Sequence, residues 1–96
     1  DIDDLRESPA LKVIRLLRDR SADVSYHDPY CAELPEFSLR SVDLDDYRCI
    51  STYDAIAIVT AHSALDYRAV VDAADLVVDF RNATAGIPSC GNVWKL

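Results

Sequence analysis

Apolar residues recur at Leu11, Val13, Ile14, Leu16 and Leu17, a spacing that predicts a helix with a wide buried stripe. Ser8 suits the N-cap of that helix, and Pro9 suits its first turn, where a missing N–H costs nothing. Arg15, Arg18 and Arg20 fall on the exposed side or near the C-terminal end, where positive charge suits the helix dipole. Alternation from Ala22 to His27 predicts a strand, which Asp28-Pro29 stops. Tyr30 to Phe37, which follows Pro29 and holds Pro35, reads as a loop. Ser38 to Leu44 suits a short strand and Asp43 to Tyr47 one helical turn with an Asp start, while Arg48 to Thr52 favours neither state. Asp54 to Thr60 is almost wholly apolar, as expected of a parallel strand covered on both faces. A turn at Thr60 to Ser63 leads into a helix over Ala64 to Ala73, with Leu65, Ala69, Val70 and Ala73 inward. Asp75 to Phe80 repeats the buried-strand pattern. Arg81 to Asn92 is a polar loop holding Gly86 and Gly91, and Val93 to Leu96 closes the chain as a short strand.

Alternation of helix and strand in this order predicts an α/β layered domain with a mainly parallel sheet. Ninety-six residues, half of them apolar, make one small domain with a marginal core. The chain begins at Asp1 and contains no Met, so it is expected to be part of something longer. A net charge of −7 argues against a general nucleic-acid or anionic-membrane surface, and no apolar run is long enough for a membrane span. The acids are mostly Asp, and Lys12 and Lys95 are the only lysines, a composition resembling that of proteins adapted to high salt. Cys31, Cys49 and Cys90 are odd in number and lack C-x-x-C spacing, so they read as incidental thiols in a reducing cytoplasm.

Ligands of parallel α/β sheets collect beyond the carboxyl ends of the strands. Asp28, Thr60, His62, Asp79, Arg81 and Asn82 fall at such ends, and Arg6 precedes the first helix on the rim expected to be the same one. Arg6 and Arg81 are therefore candidates to meet a nucleotide's phosphates or sugar hydroxyls, because a planar guanidinium forms paired, charge-assisted hydrogen bonds. Asn82 could read an amide edge such as that of uracil. The plainer alternative is that Asp79 and Arg81 pair with each other or cap loops, and that Arg6 is solvated beside a capped helix. His62 suits either an acid–base group or, more ordinarily, a residue packed in the turn. The Asp1, Asp3 and Asp4 cluster with His27-Asp28 lacks the spacing of a cation loop and reads as a solvated acidic face, so no metal is expected.

The stretch Asp4-x-Arg6-Glu7-Ser8-Pro9-Ala10, the helix after it, and Ala22-Asp23-Val24-Ser25-Tyr26-His27-Asp28-Pro29 resemble the C-terminal, UDP-binding domain of the UDP-glucose/GDP-mannose dehydrogenase family. Tyr53 to Ser63, Ala74 to Asn82 and Asn92 to Leu96 continue the resemblance in the same order. It implies a three-layer Rossmann-like fold over residues 1–96 as a single domain, lacking its first, central strand and the lysine that ends it. Such a piece is expected to be poorly stable alone or to pair its sheet gap with a neighbouring chain. The family oxidises the C6 alcohol of a nucleotide-sugar to a carboxylate in two NAD-dependent steps, for polysaccharide biosynthesis. The resemblance thus implies a non-catalytic, cytoplasmic UDP-sugar-binding fragment of a homo-oligomeric 6-dehydrogenase, acting on UDP-glucose or a UDP-N-acetylhexosamine. NAD and the catalytic cysteine belong to the rest of that enzyme. Arg81 is implied on the substrate side, with the candidate Asn82 beside it, and Arg6 on the cofactor side. Phe80 stands where Thr is common and Ala61 where Asp is common. The alternatives are a receiver-like phospho-acceptor domain, which needs a lysine where Arg81 stands, and an interaction module assembled through a sheet edge.

Overall fold

The computed structural model describes residues 10–44, 46–63, 65–89 and 91–95. The expected Ser8 cap, Pro9, Arg6, the Asp1/Asp3/Asp4 cluster and Cys90 lie outside the described residues. The chain divides into two compact units, Ile2–Leu44 and Asp45–Leu96.

In the first unit, helix α1 spans Ala10–Asp19 and buries Ala10 and Ile14. The stripe is narrower than the sequence predicts, since Leu11 and Val13 are half-buried, Leu17 is exposed and Leu16 is 61% exposed. Its last turn closes in a Schellman arrangement, with Ser21 N–H bonded to Arg18 O and Ala22 N–H to Leu17 O. Ser21 takes the left-handed position at φ 66°, where glycine is the usual residue. Ser21→Gly is therefore expected to raise stability by up to about 1 kcal/mol, read as a shift of the chemical-unfolding midpoint; a loss would mean that the serine side chain supports the cap.

Strand β1 (Glu33–Leu34) pairs antiparallel with β2 (Leu39–Arg40), placing Glu33 opposite Arg40 and Leu34 opposite Leu39. The connecting 3-10 turn, Pro35–Phe37, ends at Ser38 in the left-handed region. The expected loop over Tyr30 to Phe37 thus contains a strand and a helical turn, because Leu34, almost wholly buried, anchors the hairpin. Arg15 and Arg18 stand over the Phe37 ring at 5.6 and 5.8 Å, Arg15 pairs with Glu36, and Arg18 donates to the Phe37 carbonyl. The expected strand from Ala22 to His27 reduces to one parallel bridge, Tyr26 to Ser41. Beyond that bridge the segment is held by single bonds: Val42 N–H to Tyr26 O, and His27 Nδ1–H to Val42 O at 2.6 Å.

The second unit opens with a 3-10 helix, Tyr47–Thr52, capped by the Asp46 side chain on Arg48 N–H. The predicted helical turn with an Asp start exists, displaced toward the segment that showed no preference. Strands β3 (Ile56–Ile58), β4 (Val77–Asp79) and β5 (Val93–Lys95) form a parallel sheet in that order, in register Ile58–Asp79–Lys95. Helix α2 (Tyr67–Ala73) links β3 to β4, a crossover that parallel neighbours require. It starts three residues later than predicted because Asp66, not a residue before Ala64, caps it, accepting from Ala69 N–H. Leu65 therefore precedes the helix, and Val71 joins Val70 inside. Asn92 closes the other end, its Nδ2 donating to the Val71 and Ala74 carbonyls at 3.0 Å each.

The unit's core is Ile50, Ile58, Val70, Val71, Ala74 and Val77. Side chains at the paired positions Ala57, Val78 and Trp94 point to the opposite face, where Ala57 is exposed and Trp94 is 65% exposed. The expectation of strands buried on both faces thus fails at these positions. The elements are those of a small Rossmann-like α/β fold with a mainly parallel sheet. No helix among the described residues is long and apolar enough to cross a membrane.

Candidate functional site

The carboxyl rim of the parallel sheet brings together residues that follow β3 and β4. After β3, Val59 and Thr60 are half-buried, Ala61 is exposed and His62 is buried. The backbone N–H of His62 donates to the Tyr67 hydroxyl at 2.7 Å, and its carbonyl accepts from Leu65 N–H. Tyr47 holds the same connection from the other side, its hydroxyl accepting from Asp66 N–H. His62 is thus built into the β3–α2 turn, the ordinary role weighed for it. Tyr67 has its pKa raised, by burial first and by Asp79 and Tyr47 nearby, against the opposing effect of the His62 N–H.

After β4 the chain winds around Asp79, which has no exposed surface. Its Oδ1 accepts from Arg81 N–H at 3.0 Å and Ala83 N–H at 3.1 Å. Its Oδ2 accepts from Thr84 N–H at 2.9 Å and from the Thr84 hydroxyl at 2.6 Å. Burial pushes the carboxyl pKa up, but the Thr84 hydroxyl and the three backbone N–H groups outweigh it, and the net shift is downward. The carboxylate is ionised and committed to the loop. It also explains why the ladder ends here: Phe80 N–H still reaches Ile58 O, but the N–H groups of Arg81, Ala83 and Thr84 turn inward to the side chain instead of extending it.

The same winding turns Arg81 and Asn82 outward. Both are exposed, and the Arg81 guanidinium makes no ion pair with the described residues. The loop-capping alternative for Asp79 is realised, through the Arg81 backbone rather than its side chain. Asn82 sits at φ 58°, a left-handed conformation that asparagine tolerates better than most residues. Sequence reasoning read Asn82 for its amide and missed this backbone role; the signal available was its place just beyond a strand, three residues after Asp79.

Lys95 stands in the last sheet row, beside Asp79, so among the described residues the rim of three strands carries the exposed cations Arg81 and Lys95. Parallel register brings Lys95, sixteen positions on in the sequence, level with Asp79. Asp28 belongs to the first unit, where it is buried in an Asx turn, with Oδ1 accepting from Tyr30 N–H and its own N–H donating to Ser41 Oγ. Cys31 and Cys49 are free and half-buried. The β3–α2 turn contains no glycine in the sequence, and His62 within it is buried.

A family model described as the UDP-glucose/GDP-mannose dehydrogenase family, UDP binding domain, matches residues 1–86. A UDP-N-acetyl-D-mannosamine dehydrogenase of Methanococcus maripaludis is 39% identical over 64 residues, covering 67% of this chain and 14% of the relative. The protein of the same name from a second strain is 37% identical over 62 residues, 65% of this chain and 13% of the relative. A UDP-glucose 6-dehydrogenase of Rhizobium meliloti is 33% identical over 87 residues, 83% of this chain and 20% of the relative. The chain thus spans a fifth or less of the length of these relatives. No solved structure matches it.

Proposed function

Since the chain belongs to the UDP-glucose/GDP-mannose dehydrogenase family, through its UDP-binding domain, we propose that it binds and positions the UDP part of a UDP-sugar. It does so as the substrate-binding domain, over residues 1–96, of an NAD-dependent 6-dehydrogenase that oxidises the sugar's C6 alcohol to a carboxylate. The observation that carries this reading is the loop after β4. A buried carboxylate fixes its backbone and turns outward a guanidinium that makes no ion pair among the described residues, at the carboxyl rim of a parallel sheet.

At that rim the Arg81 guanidinium offers two parallel N–H donors to phosphate oxygens, and Asn82 stands next to it for the base or sugar. Arg6 is proposed on the cofactor side. NAD and the catalytic cysteine are assigned, by likeness to the family, to the rest of the enzyme, and none of Cys31, Cys49 and Cys90 is proposed as nucleophile. The names of the relatives divide between two sugars, and the proposed substrate is accordingly a UDP-hexose or UDP-N-acetylhexosamine. A cytoplasmic, homo-oligomeric enzyme in polysaccharide biosynthesis fits the family and the free thiols. A receiver-like reading is disfavoured, because it needs an accessible phospho-acceptor carboxylate and Asp79 is enclosed by its own loop.

An NMR titration with UDP, against GDP and ATP, tests this. UDP is expected to shift Arg81, Asn82 and the residues around Arg6. Arg81→Ala is expected to weaken UDP binding about tenfold or more, the loss of charge-assisted hydrogen bonds, while Arg18→Ala has little effect. Equal effects from the two substitutions would remove the site assignment.

A further inference from the structure

The loop after β4 does more than expose Arg81; it holds that residue in a single backbone conformation through a side chain that no ligand can reach. We propose that Asp79 and Thr84 are a positioning pair for nucleotide binding, acting through the backbone of Arg81 and Asn82. The inference rests on the reading that Arg81 meets UDP.

Thr84 is 2% exposed, and it reaches Asp79 Oδ2 with both its N–H and its hydroxyl. Asp79 Oδ1 meanwhile ties down the N–H groups on either side of Asn82, those of Arg81 and Ala83. Two further turns brace the far side, Ala85 N–H to Asn82 O at 3.3 Å and Ile87 N–H to Thr84 O at 3.1 Å. The near side is fixed to the sheet, because Phe80 N–H donates to Ile58 O at 3.0 Å. Arg81 and Asn82 are thus the exposed crest of a loop fixed at both feet and at its centre. A guanidinium recognises a phosphate by two parallel bonds, so its value depends on where its Cα is held, and a loop free to sample other conformers binds more weakly by the fraction of time it is misplaced.

The test uses Thr84→Val, which keeps shape and removes the hydroxyl, with Thr84→Ser as the rescue and Arg81→Ala as the reference. The whole chain is titrated with UDP and with uridine, which lacks phosphates, at a temperature well below each variant's unfolding midpoint. Thr84→Val is expected to weaken UDP binding about tenfold, with amide shifts confined to residues 80–85, and to weaken uridine, which meets Asn82 but not the guanidinium's phosphate bonds, by less; Thr84→Ser is expected to restore both. A merely structural role would lower the midpoint and leave the UDP affinity of the folded fraction intact. That result, beside a weakened Arg81→Ala, would overturn the positioning pair while leaving the binding reading in place. An Arg81→Ala variant that binds UDP normally, or an unsubstituted chain that does not bind it, would overturn both. Should Thr84→Val fail to fold, Thr84→Ser alone decides: full UDP affinity with loop amides protected from exchange supports the pair, and weakened affinity despite the retained hydroxyl overturns it.

Discussion

Asp79→Ala is expected to destabilise the chain by about 3 kcal/mol, the larger part from buried N–H groups left without their acceptor. Three backbone donors and one hydroxyl converge on this carboxylate, and water cannot enter a position with no exposed surface without opening the loop. Asp79→Asn keeps the volume but turns one acceptor oxygen into an NH2 donor facing donors, so it is expected to recover only part of the loss. The folded-state pKa lies below the ordinary carboxylate value, so the ionised form stabilises the fold. That contribution is fully present above the unfolded pKa, near 4, and is lost as pH falls through the depressed folded value. Urea unfolding between pH 6 and pH 2 should therefore show a fall in stability at the acid end that is shallower in Asp79→Asn. Asp46 has its pKa lowered to about 2 by its hydrogen bonds with the Arg48 side chain and backbone, but that pair is exposed, so added salt screens its part of the acid slope and leaves the part from Asp79. An acid slope unchanged by Asp79→Asn would mean that the loop does not depend on the ionised carboxylate.

How far the sequence discloses this fold depends on the range of the interactions involved. The βαβ unit was readable because continuous apolar runs around Ile56–Ile58 and Val77–Asp79 flank an amphipathic stretch, and all three signals are local. Family membership was readable from ordered motifs, and the match over residues 1–86 establishes it. Of the hairpin at Glu33–Arg40, the second strand falls within the one expected over Ser38 to Leu44, but the first was not readable, because a two-residue ladder is set by the turn at Pro35–Ser38 and by Leu34 burial rather than by any run of strand formers. The start of α2 was misplaced because Ala64 and Leu65 have helical propensity, while the Asp66 cap decides the matter. At the rim, Arg81 was visible from residue type and position, but the four-donor arrangement on Asp79 was not. It depends on backbone N–H groups, which every sequence possesses. The Asn92 clasp on α2 was likewise invisible, since its partners are carbonyls about twenty positions away.

The reading of α1 separates sequence from structure most sharply, and a pair of substitutions decides between them. A wide apolar stripe over Leu11 to Leu17 would make Leu16 a core residue. The structure instead puts Leu16 61% exposed and concentrates the first unit's burial on Ala10, Ile14 and Leu34, the last 1% exposed. Leu34→Ala should then cost about 2–5 kcal/mol, the transfer of a buried leucine plus the cavity it leaves. The upper half of that range is expected, because the hairpin around Leu34 consists of two-residue strands with little else to collapse onto the space. Leu16→Ala should change stability by less than about 0.5 kcal/mol, as an exposed position does. Chemical unfolding gives both numbers. Exchange of the Ser38 and Ser41 amides, which close the hairpin onto Pro35 and Ala32, reports whether the Leu34→Ala loss falls there. A Leu16→Ala loss equal to that of Leu34→Ala would restore the wide stripe and show that Leu16 is covered in solution. Small and equal losses would remove Leu34 as the anchor of the hairpin.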